Sequence, residues 1–420
     1  MTEDTPRGLD RIWPDIERAI DRARRRDASG RLLRAGAAGA AVAALLGVVW
    51  AGVRNPPDAP PSASAPASTW DVQGVSRVSG VSDEYPLVSD GRVFVLRGGG
   101  FQKKVACLQR ASGRLLWESD LSLWSCRLTA DRDRVYVLAR TGRARWRSMA
   151  LDARTGRAAW DVVEEREDAA APSTLTLTPR GLCWSWGGEL VCRDTASGRL
   201  RWRRDLGRGD DVSAPVAIDG RLLAASHGML YAVSADDGTV KWACRRAVDG
   251  DEPRVGVRPV RPIVAAQGDR IVTVSRRRDG SGQMWCVSAG RREVLWRRDV
   301  RGVARMQVKD GRVFVRTPNL GVFDAASGRP LWEASVAGCG ALSVVDGKVY
   351  LVDAEEDPRL VALDGRSGRA LWQQPAAASC NGIVVEGNVG FVSGNDGHLR
   401  AVPLTRVRDA RREKKREERV

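Results

Sequence analysis

One phrase recurs along this chain and restricts its possible folds more than any other feature. Tryptophans stand at Trp117, Trp160, Trp202, Trp242, Trp296, Trp332 and Trp372, roughly forty residues apart, which is the spacing of a stacked repeat. Ahead of them runs the pattern Ala-x-Asp-x-x-x-Gly-x-x-x-Trp, as in Ala150, Asp152, Gly156 and Trp160, or Ala362, Asp364, Gly368 and Trp372. A second phrase lies upstream in several units: Asp90-Gly91-Arg92, Asp219-Gly220-Arg221, Asp310-Gly311-Arg312 and Asp346-Gly347-Lys348. Between these turn signals lie short β-branched and aromatic runs, and no segment after residue 54 has a helical period. Four strands in about forty residues form the blade of a β-propeller, a unit that buries its faces only against its neighbours.

The spacing therefore predicts an all-β chain: an eight-bladed β-propeller of four-stranded antiparallel blades over residues 70–405. Seven tryptophans close seven units, and residues 383–404 read as a further pair of strands with no tryptophan of their own. Trp70 supplies it from the other end. Its strand should complete the last blade and seal the ring, leaving no sheet edge open at the junction. Tryptophan usage agrees, with 15 Trp against four Tyr and five Phe.

The residues before the ring predict where it sits. Ala35 to Val53 carry no charge and are just long enough to cross a bilayer, so 35–53 reads as a single transmembrane signal-anchor helix. A cleaved signal peptide, with Ala65-Pro66-Ala67 as a small-residue cleavage site, is the competing reading, but the run is longer than such segments and 34 residues precede it. Arginines crowd residues 1–34, and only Arg54 follows before Arg77. That asymmetry puts the N-terminus in the cytoplasm and the propeller outside the cell membrane. Residues 1–34 form a basic amphipathic segment, 54–69 a Pro/Ala/Ser linker, and 406–420 a charged tail.

The repeat phrase resembles the tryptophan-docking motif of propellers with pyrroloquinoline-quinone (PQQ)-like repeats. That family includes quinoprotein dehydrogenases and scaffolds of the outer-membrane-assembly factor B (BamB) type, and the resemblance covers about residues 70–405. It implies that Trp70, Trp117, Trp160, Trp202, Trp242, Trp296, Trp332 and Trp372 each cover the neighbouring blade, with glycine allowing close approach. The fifth unit departs, with Arg292 where the glycine belongs.

Enzyme chemistry finds little support. Two histidines, His227 and His398, leave no imidazole-rich metal centre, and both read as turn residues. No nucleophile elbow, phosphate loop or zinc-protease helix is present. The dehydrogenases that share the repeat typically carry adjacent cysteines, and none of the eight here adjoins another. The expectation is a non-catalytic protein-interaction or envelope scaffold without cofactor or metal. The alternatives are an extracytoplasmic sensor signalling to a cytoplasmic partner and a quinone-dependent dehydrogenase.

Cys183 and Cys192 are equidistant from Gly187-Gly188, so a two-residue hairpin puts them at a non-hydrogen-bonded pair within disulfide reach. The other reading is that Cys192, like Cys107 and Cys286, only replaces the repeat's buried alanine. The chain's formal charge is +16. Length variation falls on the second-to-third-strand turns and the blade-to-blade crossovers, which emerge on one face. Lys103, Lys104, Arg143, Arg145, Arg147, Arg245, Arg246, Arg276, Arg277 and Arg278 lie there, with acidic lobes expected at Glu164 to Asp168 and Asp353 to Asp357. This face is the candidate binding surface for an acidic protein or anionic envelope partner. A monomeric ring is expected, and nucleic acid is excluded because nothing in the pattern reads a groove.

Overall fold

The computed structural model describes residues 70–404, apart from 76–85, 99–101, 120–122, 124, 142–144, 166–170, 208–211, 227, 246–259, 277–280, 337–341, 354–356 and 377–379. The chain divides into two units, Met1–Pro61 and Ser62–Val420, and the described residues all belong to the second. The cytoplasmic segment 1–34, the membrane helix 35–53, the linker 54–69 and the tail 406–420 read from the sequence lie outside the described residues. Among the described residues, no helix is long and apolar enough to cross a membrane.

The described residues form 32 strands in eight four-stranded antiparallel sheets. Seven blades are sequential hairpins. Their first strands lie against those of neighbouring blades around the ring, which makes them innermost, and their fourth strands are outermost. The eighth blade is composite: Cys380–Glu386, Val389–Gly394 and His398–Pro403 supply three strands, and Trp70–Gln73 supplies the outer one. Trp70 pairs with Ala401 just as Trp160 pairs with Ala150. Eight blades and closure by the N-terminal strand match the expectation. One detail differs. The C-terminal segment holds three strands rather than a pair, because Gly387 at φ +57° turns the chain inside what reads as one apolar run.

Local chemistry sets the strand ends. Asp90-Gly91, Asp219-Gly220, Asp310-Gly311 and Asp346-Gly347 all have positive φ at both residues, the backbone of a tight hairpin turn whose twist matches the strands. The third-to-fourth-strand turn is built by the repeat's aspartate. Asp152 Oδ1 accepts hydrogen bonds from the backbone of Arg154 and Thr155 and from the Thr155 hydroxyl, at 3.0, 2.8 and 2.8 Å. Asp194, Asp324 and Asp364 repeat the arrangement with serines. These bonds, the hydroxyl's foremost, hold the four carboxyls below the usual carboxylate range.

Each such turn ends at a glycine on which the preceding blade docks. The Trp117 Nε1–H donates to Ala153 O at 3.1 Å, and a Cβ on Gly156 would lie 2.6 Å from that indole. Trp160, Trp202, Trp296 and Trp332 do the same at Gly198, Gly238, Gly328 and Gly368. Trp70 donates to Arg110 O at 2.8 Å and covers Gly113 of the first blade. Trp372 faces the composite blade, which has no such turn, and stacks at a tilt 6.2 Å from Tyr350.

The fifth blade is the exception. Arg292 occupies the glycine position at φ +62°, and the buried Trp242 Nε1 has no hydrogen-bond partner among the described residues. This blade also has Ser288 where most have aspartate. Asp269, from the adjacent hairpin turn, substitutes: it accepts from Gly290 N at 2.7 Å and from the Ser288 hydroxyl at 2.8 Å. Replacing Arg292 with glycine should stabilise the protein by about 1 kcal/mol, by relieving left-handed strain on a residue with a Cβ. Thermal unfolding of Arg292→Gly measures this, and an unchanged or lower midpoint would show that the turn carries no strain.

Candidate interaction face

The two ends of an up-and-down ring are unequal. One carries the short Asp-Gly and Asp-x-x-Ser/Thr-Gly turns, nearly identical from blade to blade. The other carries the second-to-third-strand turns and the crossovers, where length varies. Two blades rise above the rest on this second end. The third and fourth strands of blade 2 (Arg145–Asp152 and Ala158–Glu165) and of blade 5 (Ser281–Ser288 and Val294–Arg301) have eight residues each, against four to six elsewhere. Measured from the residue paired with the docking tryptophan, the third strands of both blades begin two or more residues earlier than the others. Two extra residues raise each wall by about 7 Å.

The candidate basic residues divide into those described and those that are not. Lys104 and Arg97 both reach Glu118, at 3.4 Å each. Arg145 pairs with Glu165 at 3.0 Å, and Arg147 pairs with Asp161. Lys103 joins Leu123 through a short backbone bridge, and Arg245 is exposed at the end of its strand. Arg276 ends its strand, without a described side chain. Arg143, Arg246, Arg277 and Arg278 lie outside the described residues. On the described part of the face, then, outer-strand acids neutralise much of the positive charge. Exposed pairs of this kind add about 0–1 kcal/mol each, so their main effect is on the surface potential.

Glu164 corrects the sequence reading. Expected in an acidic lobe, it is buried instead, with Oε1 accepting from Arg193 Nε and Nη2 at 3.0 and 2.8 Å and Oε2 lying 3.3 Å from Arg203. Arg193 is itself buried and also donates to Gly198 O at 2.8 Å. This charge-assisted pair, with two guanidinium N–H groups on one carboxylate oxygen, joins the outer strand of blade 2 to blade 3. Period-two alternation from the buried Trp160 through Val162 puts Glu164 on the same face, and was the signal available for finding it.

His227 lies outside the described residues. His398 opens a strand of the composite blade, with Nδ1 2.7 Å from Asp71 Oδ1. Arg400 bridges Asp71 at 3.1 Å and Asp396 at 2.6 Å. The cluster ties the closing strand to its partner, a role invisible in sequence because 327 residues separate Asp71 from His398. Among the described residues, no three His, Cys, Asp or Glu side chains converge as a metal site. Cys107, Cys126, Cys183, Cys192, Cys244 and Cys286 are buried thiols. Cys183 and Cys192 face each other in register, with no bond between them in the structure.

The family described as outer membrane protein assembly factor BamB matches residues 62–183, 180–283 and 318–406. The outer membrane protein assembly factor BamB of Moranella endobia (strain PCIT) is 25% identical over 277 residues, which take in 59% of this chain and 66% of that protein. BamB from Moraxella catarrhalis superposes with a TM-score of 0.60 at 14% identity, over 80% of this chain and 99% of that one. The quinohemoprotein alcohol dehydrogenase of Comamonas testosteroni gives 0.59 at 12% identity, over 80% and 76%. At such identities these superpositions speak for the fold alone, which that BamB and that dehydrogenase share. The three matched stretches take in most of the ring, and the chain belongs to the outer membrane protein assembly factor BamB family.

Proposed function

We propose that the protein is a non-catalytic docking scaffold of the cell envelope, held at the membrane by residues 35–53, with the propeller on the extracytoplasmic side. The partner is an envelope protein with an acidic surface, received on the face of long loops between the raised walls of blades 2 and 5. The observation that carries this reading is the contrast between the two ends of the ring. One end repeats the same turn chemistry blade after blade, and the other varies in length and charge. Variable loops on a rigid frame are where binding is usually placed. Family membership supports the scaffold role, and the uncharged run 35–53 followed by a proline-rich linker supports the anchor.

Because the acids of their own blades engage Lys104, Arg145 and Arg147, the steering charge is assigned to Arg143, Arg276 and Arg278. Reversing these three to Glu in the full chain should leave the unfolding midpoint unchanged. Partner capture by crosslinking in native membranes should fall about tenfold or more at low salt, and the parent's capture should weaken as salt rises. Capture that is unchanged and insensitive to salt would exclude this face as the docking site.

A further inference from the structure

We infer that Cys183 and Cys192 are an oxidation site, closed to a disulfide that clamps the central hairpin of blade 3. Three departures from the repeat meet there. The second strand (Gly181–Trp186) and third strand (Glu189–Asp194) of this blade pair so that Cys183 stands directly opposite Cys192. In the other blades the same pair sets a larger residue against the small or slender one, as in Phe94 against Cys107, Tyr136 against Ala150 and Phe391 against Ala401. Size complementarity keeps those pairs filled. Only in blade 3 are both members cysteine, so filling space cannot be the whole account of Cys183.

Gly181 is the third departure. Six other blades begin this strand with Arg or Lys, among them Arg92, Arg134 and Arg312. A Cβ at Gly181 would lie 2.5 Å from the Cys192 sulfur and 3.2 Å from the Cys183 sulfur. Both sulfurs therefore crowd the one space that the missing side chain leaves open. The neighbouring Cys192 thiol, together with burial, pushes the pKa of Cys183 up. In this register the Cα atoms of a non-hydrogen-bonded pair approach to about 4.5 Å, at the near edge of disulfide geometry.

Both sulfurs are fully buried beneath Trp202 and the face of blade 4. Oxidation therefore precedes the docking of blade 4 during folding. The oxidant is a protein disulfide of the thiol–disulfide oxidoreductase class. One cysteine thiolate attacks a sulfur of that disulfide, giving a mixed disulfide and releasing the other oxidant sulfur as a thiolate. The second cysteine thiolate then attacks the first cysteine's sulfur. The Sγ–Sγ bond forms, and the oxidant departs as a dithiol carrying the two electrons and, through solvent, the two protons lost by the cysteine thiols. The inference rests on the extracytoplasmic reading above, since such bonds persist in oxidising compartments.

The full chain is extracted from its native membrane under a thiol-alkylating reagent, unfolded without reductant and digested. A linked peptide carrying Cys183 and Cys192 is expected, and it should disappear in Cys183→Ser. In parallel, wild-type chain reduced and unfolded in urea is refolded in an oxidised/reduced glutathione buffer. A bridge in the refolded chain but not in the native one supports the site and overturns the oxidising location. A bridge in neither, or linkage of either cysteine to a different partner in both, overturns the inference.

Discussion

Deleting residues 68–78 from the full chain should lower the unfolding midpoint more than removing any one docking tryptophan from the interior of the ring. Replacing Trp70 alone with alanine should cost about 3–5 kcal/mol, the usual loss for a large buried aromatic. Trp70 is 8% exposed, and its indole covers Gly113, donates to Arg110 O and lies 5.9 Å from the Phe391 ring. The deletion removes more. Four ladder pairs from Trp70↔Ala401 to Gln73↔His398 disappear, and Arg400 and His398 lose Asp71. The composite blade is left with three strands and an open edge beside the first blade. If the deletion variant melts with the parent, closure contributes nothing and the ring is held by its other junctions.

The second large effect comes from one methyl group. In blade 4, Gly220 and Gly238 share a backbone of φ +70°, but a Cβ at Gly220 would meet nothing within 4 Å, whereas one at Gly238 would lie 2.7 Å from Trp202. Gly220→Ala should therefore cost about 1–2 kcal/mol, the left-handed strain by itself. Gly238→Ala should cost about 2–5 kcal/mol, since forcing the indole away adds an overpacking term of about 1–3 kcal/mol. Urea unfolding of the two variants side by side isolates the tryptophan contact. Equal costs would mean that the indole moves aside freely and does not depend on glycine for its seat.

The candidate face was only partly legible in the sequence. Strand alternation and loop length placed Lys104, Arg145 and Arg147 on the long-loop end, but could not show Glu118, Glu165 and Asp161 beside them. Each of these acids lies on the outermost strand, 14 or 20 residues away along the chain. The pairing follows from ladder register, a relation between strands rather than within one. Glu164 shows the same limit more strongly: its partner Arg193 belongs to the next blade.

What the sequence by itself determined is everything that repeats. Blade number, strand order, turn type and the closing strand at Trp70 follow from local rules, because a backbone turn needs particular residues at particular offsets and a blade needs a neighbour on each face. What only the tertiary structure decided is which side chains of different strands meet. Which charges are neutralised, that Asp269 replaces a missing aspartate for Ser288, and that Gly181 opens the space where two sulfurs meet all depend on distances between residues remote in the chain. Those distances are set by the register between paired strands and by the turns that join them, and no periodicity in a single strand encodes them.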